Sequence, residues 1–278
     1  MNRPELSIVI PYFNSGSFIE RTLKFARQQI NVDFEIIVVD DGSDKRNKEI
    51  LSNYLDQIDL LLTQENKGQG AARNTGIAKA KGEFILNWDA DDYFESDFCK
   101  KAIQVIKNDN NIKLVTSIGS RTDGKKYSES LIPAGGTLND FLFDNQAFGS
   151  ALFRKSDWRT VDGYDEAQEL RGFEDWEFYI RLLKEGGIAY VLHECLFTYF
   201  RHSESTTSKI KDTRYNKRLY IYKKHQELYK SNFSSLMEDT FKRLEGERKS
   251  RSKIIGAIDY RVGRFILKPI RLIKRVLR

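Results

Sequence analysis

Residues 87–94 read NWDADDYF and place Asp89, Asp91 and Asp92 within four positions at the end of an apolar run, GEFILNW. Carboxylates this close repel one another unless something positive neutralises them. A D-x-D pair on a rigid strand end offers oxygen ligands to Mg²⁺ or Mn²⁺, which favour carboxylate and water. A cation so held would bridge phosphates and neutralise a leaving diphosphate. The competing reading is a solvated turn after a strand. The aromatic residues Trp88, Tyr93 and Phe94 around the acids weigh against it. An EF-hand is excluded, because no D-x-D-x-D-G loop closes on a glutamate.

Two other stretches could meet a ligand. Val38–Asp44, VVDDGSD, ends an apolar run on two aspartates that could hydrogen-bond a base or ribose, with a glycine that lets the backbone come close. An ordinary D-G turn reads the same way. Glu65–Gly76, ENKGQGAARNTG, lacks the Walker pattern, and its glycines do not fit the dinucleotide fingerprint. Arg73 within it is either a surface arginine or the partner of a carboxylate at 40 or 89.

Asp175 is read from its spacing. On a helix starting near Phe173, its neighbours at i+3, i+4, i+7 and i+8 are Phe178, Tyr179, Leu182 and Leu183, so Asp175 tops an inward apolar stripe. Glu174, Glu177 and Arg181 form the row expected to face water. A first-turn carboxylate is common because it complements the helix dipole. On an inward face it also suits a general base that takes a proton from an attacking hydroxyl. His193 and His225 stand in no motif and read as structural or solvent-facing.

The elements that must position these groups follow from the pattern of apolar runs. Strands are expected at Leu6–Pro11, Phe34–Asp40, Ile58–Thr63 and Glu83–Trp88. Helices are expected at Ser17–Gln29, Lys45–Leu55, Gly70–Lys81 and Ser96–Lys107. This α/β alternation predicts a parallel sheet with helices on both faces and ligands at the carboxyl ends of its strands. Those ends carry Pro11–Asn14, Asp40–Asp44, Glu65–Gly70 and Asp89–Asp92. After residue 110 the alternation stops. Strands are expected at Lys113–Ile118, Ser150–Phe153 and Ala189–Arg201, a helix at Gly172–Lys184, and charged helix over 213–245.

The 278 residues carry a net charge of +6, unevenly placed. From Lys253 onward eight Lys/Arg face one acid, Asp259, so the rest of the chain is nearly neutral. Apolar residues Ile254, Ile258, Val262, Phe265, Pro269, Ile270, Ile273, Val276 and Leu277 form one helical stripe through this tail, with a kink expected at Pro269. A basic amphipathic helix predicts contact with an anionic membrane surface; docking on protein is the alternative. Nucleic acid is disfavoured, since no aromatic platform or reading motif accompanies the bases. Cys99 and Cys195 give no disulfide framework, the N-terminal apolar run is too short for a signal peptide, and no run approaches the ~20 residues of a membrane span. The expected location is cytoplasmic, peripheral on the inner face of the membrane.

The ordered set SIVIPYFN, VVDDGSD, NKGQGAARNTGI and WDADDYF closely resembles the family 2 glycosyltransferases of GT-A fold, over roughly residues 5–205. GFEDWEFYIRL at 172–182 matches the family's E-D segment. YFRHSESTTS at 199–208 resembles its Y-R-x-H-x-x-S segment, with arginine and histidine one position closer. The resemblance implies a GT-A type nucleotide-binding sheet flanked by helices, with a helical C-terminal extension. It implies a catalytic domain over 1–210, with a nucleotide half at 1–110 and an acceptor half at 111–210. An extension over 211–278 would follow, ending in the basic tail.

The activity implied is transfer of a sugar, with inversion, from a nucleotide diphosphate donor, a UDP-sugar foremost, to a glycan or lipid-linked acceptor in surface polysaccharide or lipopolysaccharide synthesis. The cofactor implied is Mn²⁺ or Mg²⁺. By that resemblance Pro11, Tyr12 and Phe13 line the uracil pocket, Asp40 binds the base, and Gly70 and Arg73 belong to the donor site. Asp89 meets the ribose or the metal shell, Asp91 binds the metal, His202 touches metal or diphosphate, and Asp175 is the base. Two rival classes are a nucleotidyltransferase, for which the arginine- and lysine-bearing glycine loop is missing, and a non-catalytic sugar-nucleotide binder or membrane scaffold.

Overall fold

The fold was analysed in a computed structural model of the chain, which describes residues 3–124, 127–201 and 214–257, together with 260, 262 and 265. The first half reads β1 (Leu6–Tyr12), α1 (Gly16–Arg27), β2 (Phe34–Asp40), α2 (Lys45–Ser52), β3 (Leu60–Thr63), α3 (Gln69–Lys79), β4 (Phe84–Asn87), β5 (Tyr93–Phe94) and α4 (Phe98–Asn108). Then come β6 (Ile112–Thr122), β7 (Tyr127–Leu131), α5 (Leu138–Phe143), β8 (Leu152–Arg154), α6 (Lys155–Thr160), α7 (Glu174–Leu183), β9 (Ile188–Phe200), α8 (Arg214–Lys224), α9 (Gln226–Ser231) and α10 (Phe233–Gly256). Two compact units divide the chain, Met1–Gln226 and Glu227–Arg278. α8 packs within the first unit: Lys217 and Ile221 are buried, and the Lys217 ammonium donates to the Glu169 carbonyl at 3.3 Å.

One sheet runs β3-β2-β1-β4-β8-β6-β9-β5, with β7 added to β6. Its first four strands are parallel, as the alternation predicts. β8 enters antiparallel to both β4 and β6, so the second half completes the same sheet instead of forming another. β1 and β2 are buried along almost their whole length, as central strands covered on both faces must be. The register sets Tyr12 beside Asp40 and Asp40 beside Thr63, so three strands end flush. The Trp88 N–H reaches the Val9 carbonyl at 2.9 Å and extends β4 by one residue, and the chain leaves the sheet at Asp89 on that same rim.

α3 lies directly on this sheet. A Cβ at Gly76 would come within 2.5 Å of Val9 Cγ1 and 3.0 Å of Val39 Cγ2, so only glycine allows the approach that presents Arg73 at the rim.

Candidate active site

The acids of the opening motif part company in the fold. Asp92 is buried, and its carboxylate accepts the Phe200 N–H at 3.0 Å, tying the motif to β9. Burial first, then the charges of Asp91 and Asp89, push its pKa well above the ordinary carboxylate range. Asp89 and Asp91 are partly exposed and line a cavity of about 250 Å³. The backbone between them is pinned from α1: Thr22 Oγ1 donates to the Ala90 carbonyl at 2.7 Å, and Arg21 donates to the Asp91 carbonyl at 2.9 Å. Arg21 itself lies 4.2 Å above the Phe200 ring.

Arg73 pairs with a carboxylate, and the partner is Asp89: Nη2 meets Oδ1 at 2.7 Å with only 2% of the arginine side chain exposed. Gln69, one turn earlier on α3, donates to the same oxygen at 2.6 Å. Burial opposes charge on Arg73, but Asp89 first, then Tyr164, Glu174 and Asp175, outweigh it and hold the guanidinium charged. Burial likewise raises the Asp89 pKa, against the pull of Arg73.

Asp175 stands in the first turn of α7 and lines the same cavity. Asn145 donates its amide to Asp175 Oδ2 at 2.8 Å. The assignment of that amide is fixed locally, because Asn145 Oδ1 accepts the Ala147 N–H at 3.2 Å and the nitrogen must face the acid. A Cβ at Gly149 would sit 3.2 Å from Asp175 Oδ2 and 3.6 Å from Arg73 Nη2, so the glycine keeps the space between these two side chains clear. Burial raises the Asp175 pKa and Arg73 opposes it. The inward neighbours Phe178, Tyr179, Leu182 and Leu183 are all buried, as the spacing predicts.

The row expected to face water does not. Glu174 and Glu177 are buried: Glu174 packs against Gly70 of α3, and Glu177 meets Lys224 at the end of α8. Glu177 is 0% exposed and holds Arg181 at 2.7 Å, Lys224 at 2.7 Å and His225 at 2.9 Å. A helical row of alternating charge looks solvated in sequence, and its burial depends on a partner helix some forty residues later supplying the counter-charges.

Arg73, Asp89, Asp91 and Asp175 therefore meet in one cavity, while the remaining expected residues lie on the neighbouring rim or elsewhere. Pro11 and Tyr12 are buried in the core, and the Tyr12 hydroxyl is spent on the Asn47 carbonyl at 2.7 Å; Phe13 is 48% exposed. Asp40 is buried, with Oδ1 accepting the Ser43 N–H at 2.9 Å. Its neighbour Asp41 is structural, accepting from Gln64, Lys67 N–H and Gly68 N–H at 2.8–2.9 Å. Gly70 serves packing of α3 on α7: a Cβ there would meet the Asp165 carbonyl at 3.2 Å and Glu174 Cγ at 3.3 Å. His202 lies outside the described residues. His225 is structural, through Glu177.

Asn145, Ser150 and Arg21 carry no motif of their own in the sequence, while Gln69 lies in the NKGQGAARNTG stretch. Ser150 Oγ accepts the Asp89 N–H at 3.1 Å, so one short segment, 145–150, touches both Asp175 and Asp89. Asn74 was legible in principle, since it lies in the NKGQGAARNTG stretch. Its side chain accepts from Tyr164 N–H and Trp158 Nε1 and donates to the Tyr164 carbonyl, fixing the loop before α7.

The cavity is lined, among the described residues, by five carboxylates and one cation, Arg73. A polyanionic ligand cannot enter such a site without added positive charge. No three Asp, Glu, His or Cys side chains among the described residues converge into a metal cage. Mg²⁺ and Mn²⁺ bridging phosphates do not need one, since they take one or two carboxylates and complete the shell with water and phosphate oxygens. Asp91 and Asp89 fit that donor set.

Comparison with known proteins now decides the family. Residues 7–160, more than half of the chain, match the family described as Glycosyl transferase family 2. The chain belongs to that family. The glycosyltransferase is 26% identical to chondroitin synthase of Pasteurella multocida, a match covering 98% of this chain and 28% of that protein. It superposes on S. aureus TarS 1–349, solved in complex with UDP-GlcNAc, with a TM-score of 0.61 and 22% identity over 73% of this chain and 60% of that one. The mannosyltransferase PcManGT of Pyrobaculum calidifontis, solved with GDP-Man and Mn²⁺, gives 0.60 at 15% identity over 94% of this chain and 83% of that one. The GT-A fold expected from the motifs is thus the fold of this glycosyltransferase.

Proposed function

We propose that this glycosyltransferase moves a sugar, with inversion, from a nucleotide diphosphate donor, a UDP-sugar foremost, to a hydroxyl of a glycan or lipid-linked acceptor in polysaccharide or lipopolysaccharide synthesis. The observation that carries this is the meeting of Asp89, Asp91, Arg73 and Asp175 in one acidic cavity at the carboxyl ends of a parallel sheet. Support for a nucleotide sugar comes from the neighbours solved with UDP-GlcNAc and GDP-Man, for a divalent cation from the one solved with Mn²⁺, and for a glycan product from chondroitin synthase.

In this reading the exposed Phe13 ring and the backbone of Pro11–Phe13 border the base, and Asp40 lies beside it at the end of β2. Asp91 and Asp89 would hold Mn²⁺ or Mg²⁺, with His202 from the segment that follows β9. The bound cation supplies positive charge for the nucleoside diphosphate. Arg73 and Gln69 hold Asp89 in place. Asp175 takes the proton of the acceptor hydroxyl as its oxygen bonds to the anomeric carbon. The bond from that carbon to the diphosphate breaks on the opposite face, and configuration inverts. The elevated pKa of Asp175 strengthens it as a proton acceptor. We further place the basic tail on an anionic membrane surface; its described residues Ile254, Val262 and Phe265 are exposed apolar side chains.

A screen of UDP-, GDP- and dTDP-sugars with Mn²⁺ tests the reaction. Release of the nucleoside diphosphate supports it. Release of pyrophosphate supports a nucleotidyltransferase, and binding without turnover supports a non-catalytic binder. Sedimentation with anionic but not neutral vesicles, lost on removal of residues 253–278, tests the tail.

A further inference from the structure

The wall of the cavity beside Asp175 is aromatic. Phe148 stands on the 145–150 segment, between the residue that holds Asp175 and the one that holds Asp89. The backbone beneath it is tied to α7, because the Tyr179 hydroxyl lies 2.7 Å from the Phe148 carbonyl and 3.2 Å from that of Gly149. The ring packs on Phe197 of β9 at 4.5 Å between centroids and 31° between planes. Gly119 makes room for this pair: a Cβ there would lie 3.0 Å from both rings. Phe148 nevertheless stays partly exposed, and it lines the cavity.

Phe148 packs against the core, but the part of its ring left exposed in a cavity otherwise rich in carboxylates adds no burial energy to folding. Its place in the sheet gives it a side. Along the order β2-β1-β4-β8-β6-β9, Asp40 and Tyr12 lie on one side of Asp89, and Phe197 lies on the other. Phe148 therefore stands away from the strands assigned to the nucleotide and next to the proposed base. A pyranose ring matches these neighbours: its axial C–H bonds form an apolar face for the electron-rich face of an arene, and its edge is a row of hydroxyls for carboxylates. A lipid chain would leave the carboxylates unpaired, and a polyanion would be repelled by them.

We propose that Phe148 is the platform of the acceptor subsite, on which a pyranose ring lies face-on with a hydroxyl turned to Asp175. The proposal rests on the glycosyl-transfer reading. Phe148 acts as a specificity-determining residue for a sugar acceptor, so the group that receives the new linkage is itself a sugar ring.

Saturation-transfer NMR on the full chain tests it. The probes are methyl β-D-glucopyranoside, methyl β-D-galactopyranoside and methyl N-acetyl-β-D-glucosaminide, each with UDP and Mn²⁺ present. Saturation of one ring face of at least one probe is expected. In Phe148→Leu, which keeps an apolar contact with Phe197, affinity should fall about tenfold while UDP affinity stays unchanged; Phe148→Trp should retain sugar binding. UDP binding without any sugar contact, or with sugar contact unchanged in Phe148→Leu, overturns the subsite alone. Absence of binding by UDP, GDP and dTDP alike in the wild-type protein overturns the glycosyl-transfer reading and this proposal with it.

Discussion

Asn145 and Asp175 are thirty residues apart in sequence and joined by one hydrogen bond, from the asparagine Nδ2 to the aspartate Oδ2, at 2.8 Å. The amide stabilises the charged carboxylate, in the same direction as Arg73 and against burial, which raises the pKa. Asn145→Ala should therefore raise the Asp175 pKa further. A base works only when ionised, so the acidic limb of kcat against pH should move to higher pH by about one unit. Activity should fall more at pH 6 than at pH 8.5. A uniform loss at all pH values would mean that Asn145 only packs.

Arg73 is buried and its charge is matched by Asp89, which is itself only partly exposed. Removing the guanidinium leaves Asp89 uncompensated among four other carboxylates of the cavity. Arg73→Ala should cost about 3–5 kcal/mol of stability, read from urea denaturation at pH 7. A change below about 1 kcal/mol would show that the pair is not isolated from water.

Glu177 offers a pH test far from the chemistry. Burial disfavours its charge, but the bonds from His225, Arg181 and Lys224 win and hold its pKa at about 2, against an ordinary 4.5. A depressed acid contributes stability that is fully present above about 4.5 and lost as pH falls toward 2. Glu177→Gln should cost roughly 3 kcal/mol at neutral pH, and the difference from wild type should shrink between pH 4.5 and 2. Paired denaturation curves across that range decide it; a difference that does not vary with pH would remove the ion cluster as the cause.

Asp91 is the proposed metal ligand, and its substitution separates that role from folding. Asp91→Ala should leave thermal stability in EDTA within about 0.5 kcal/mol of wild type, as expected for a partly exposed residue. UDP affinity in Mn²⁺, measured by calorimetry, should fall at least tenfold. UDP binding that ignores both EDTA and this substitution would contradict the metal assignment.

The sheet was readable because its first strands are continuous apolar runs ending in Pro11, Asp40 and Asp89, and buried parallel strands leave that mark. Arg73 could be narrowed to two partners, and only packing of α3 through Gly76 selects Asp89. The inward place of Asp175 followed from helical spacing, whereas the burial of Glu177 did not, since its counter-charges arrive on α8. β8 and the 145–150 segment were the least legible parts. A three-residue strand entering antiparallel leaves no periodicity, and Asn145, Phe148 and Ser150 acquire meaning only from what they touch.

In the proposed reaction Asp175 takes the acceptor proton while Asp89 and Asp91 serve the donor. The most direct measurement is the transfer rate of Asp175→Asn at saturating donor, with donor affinity measured alongside. A loss of about 10³-fold or more in kcat is expected, with donor affinity unchanged. Turnover within a few-fold of wild type would contradict it.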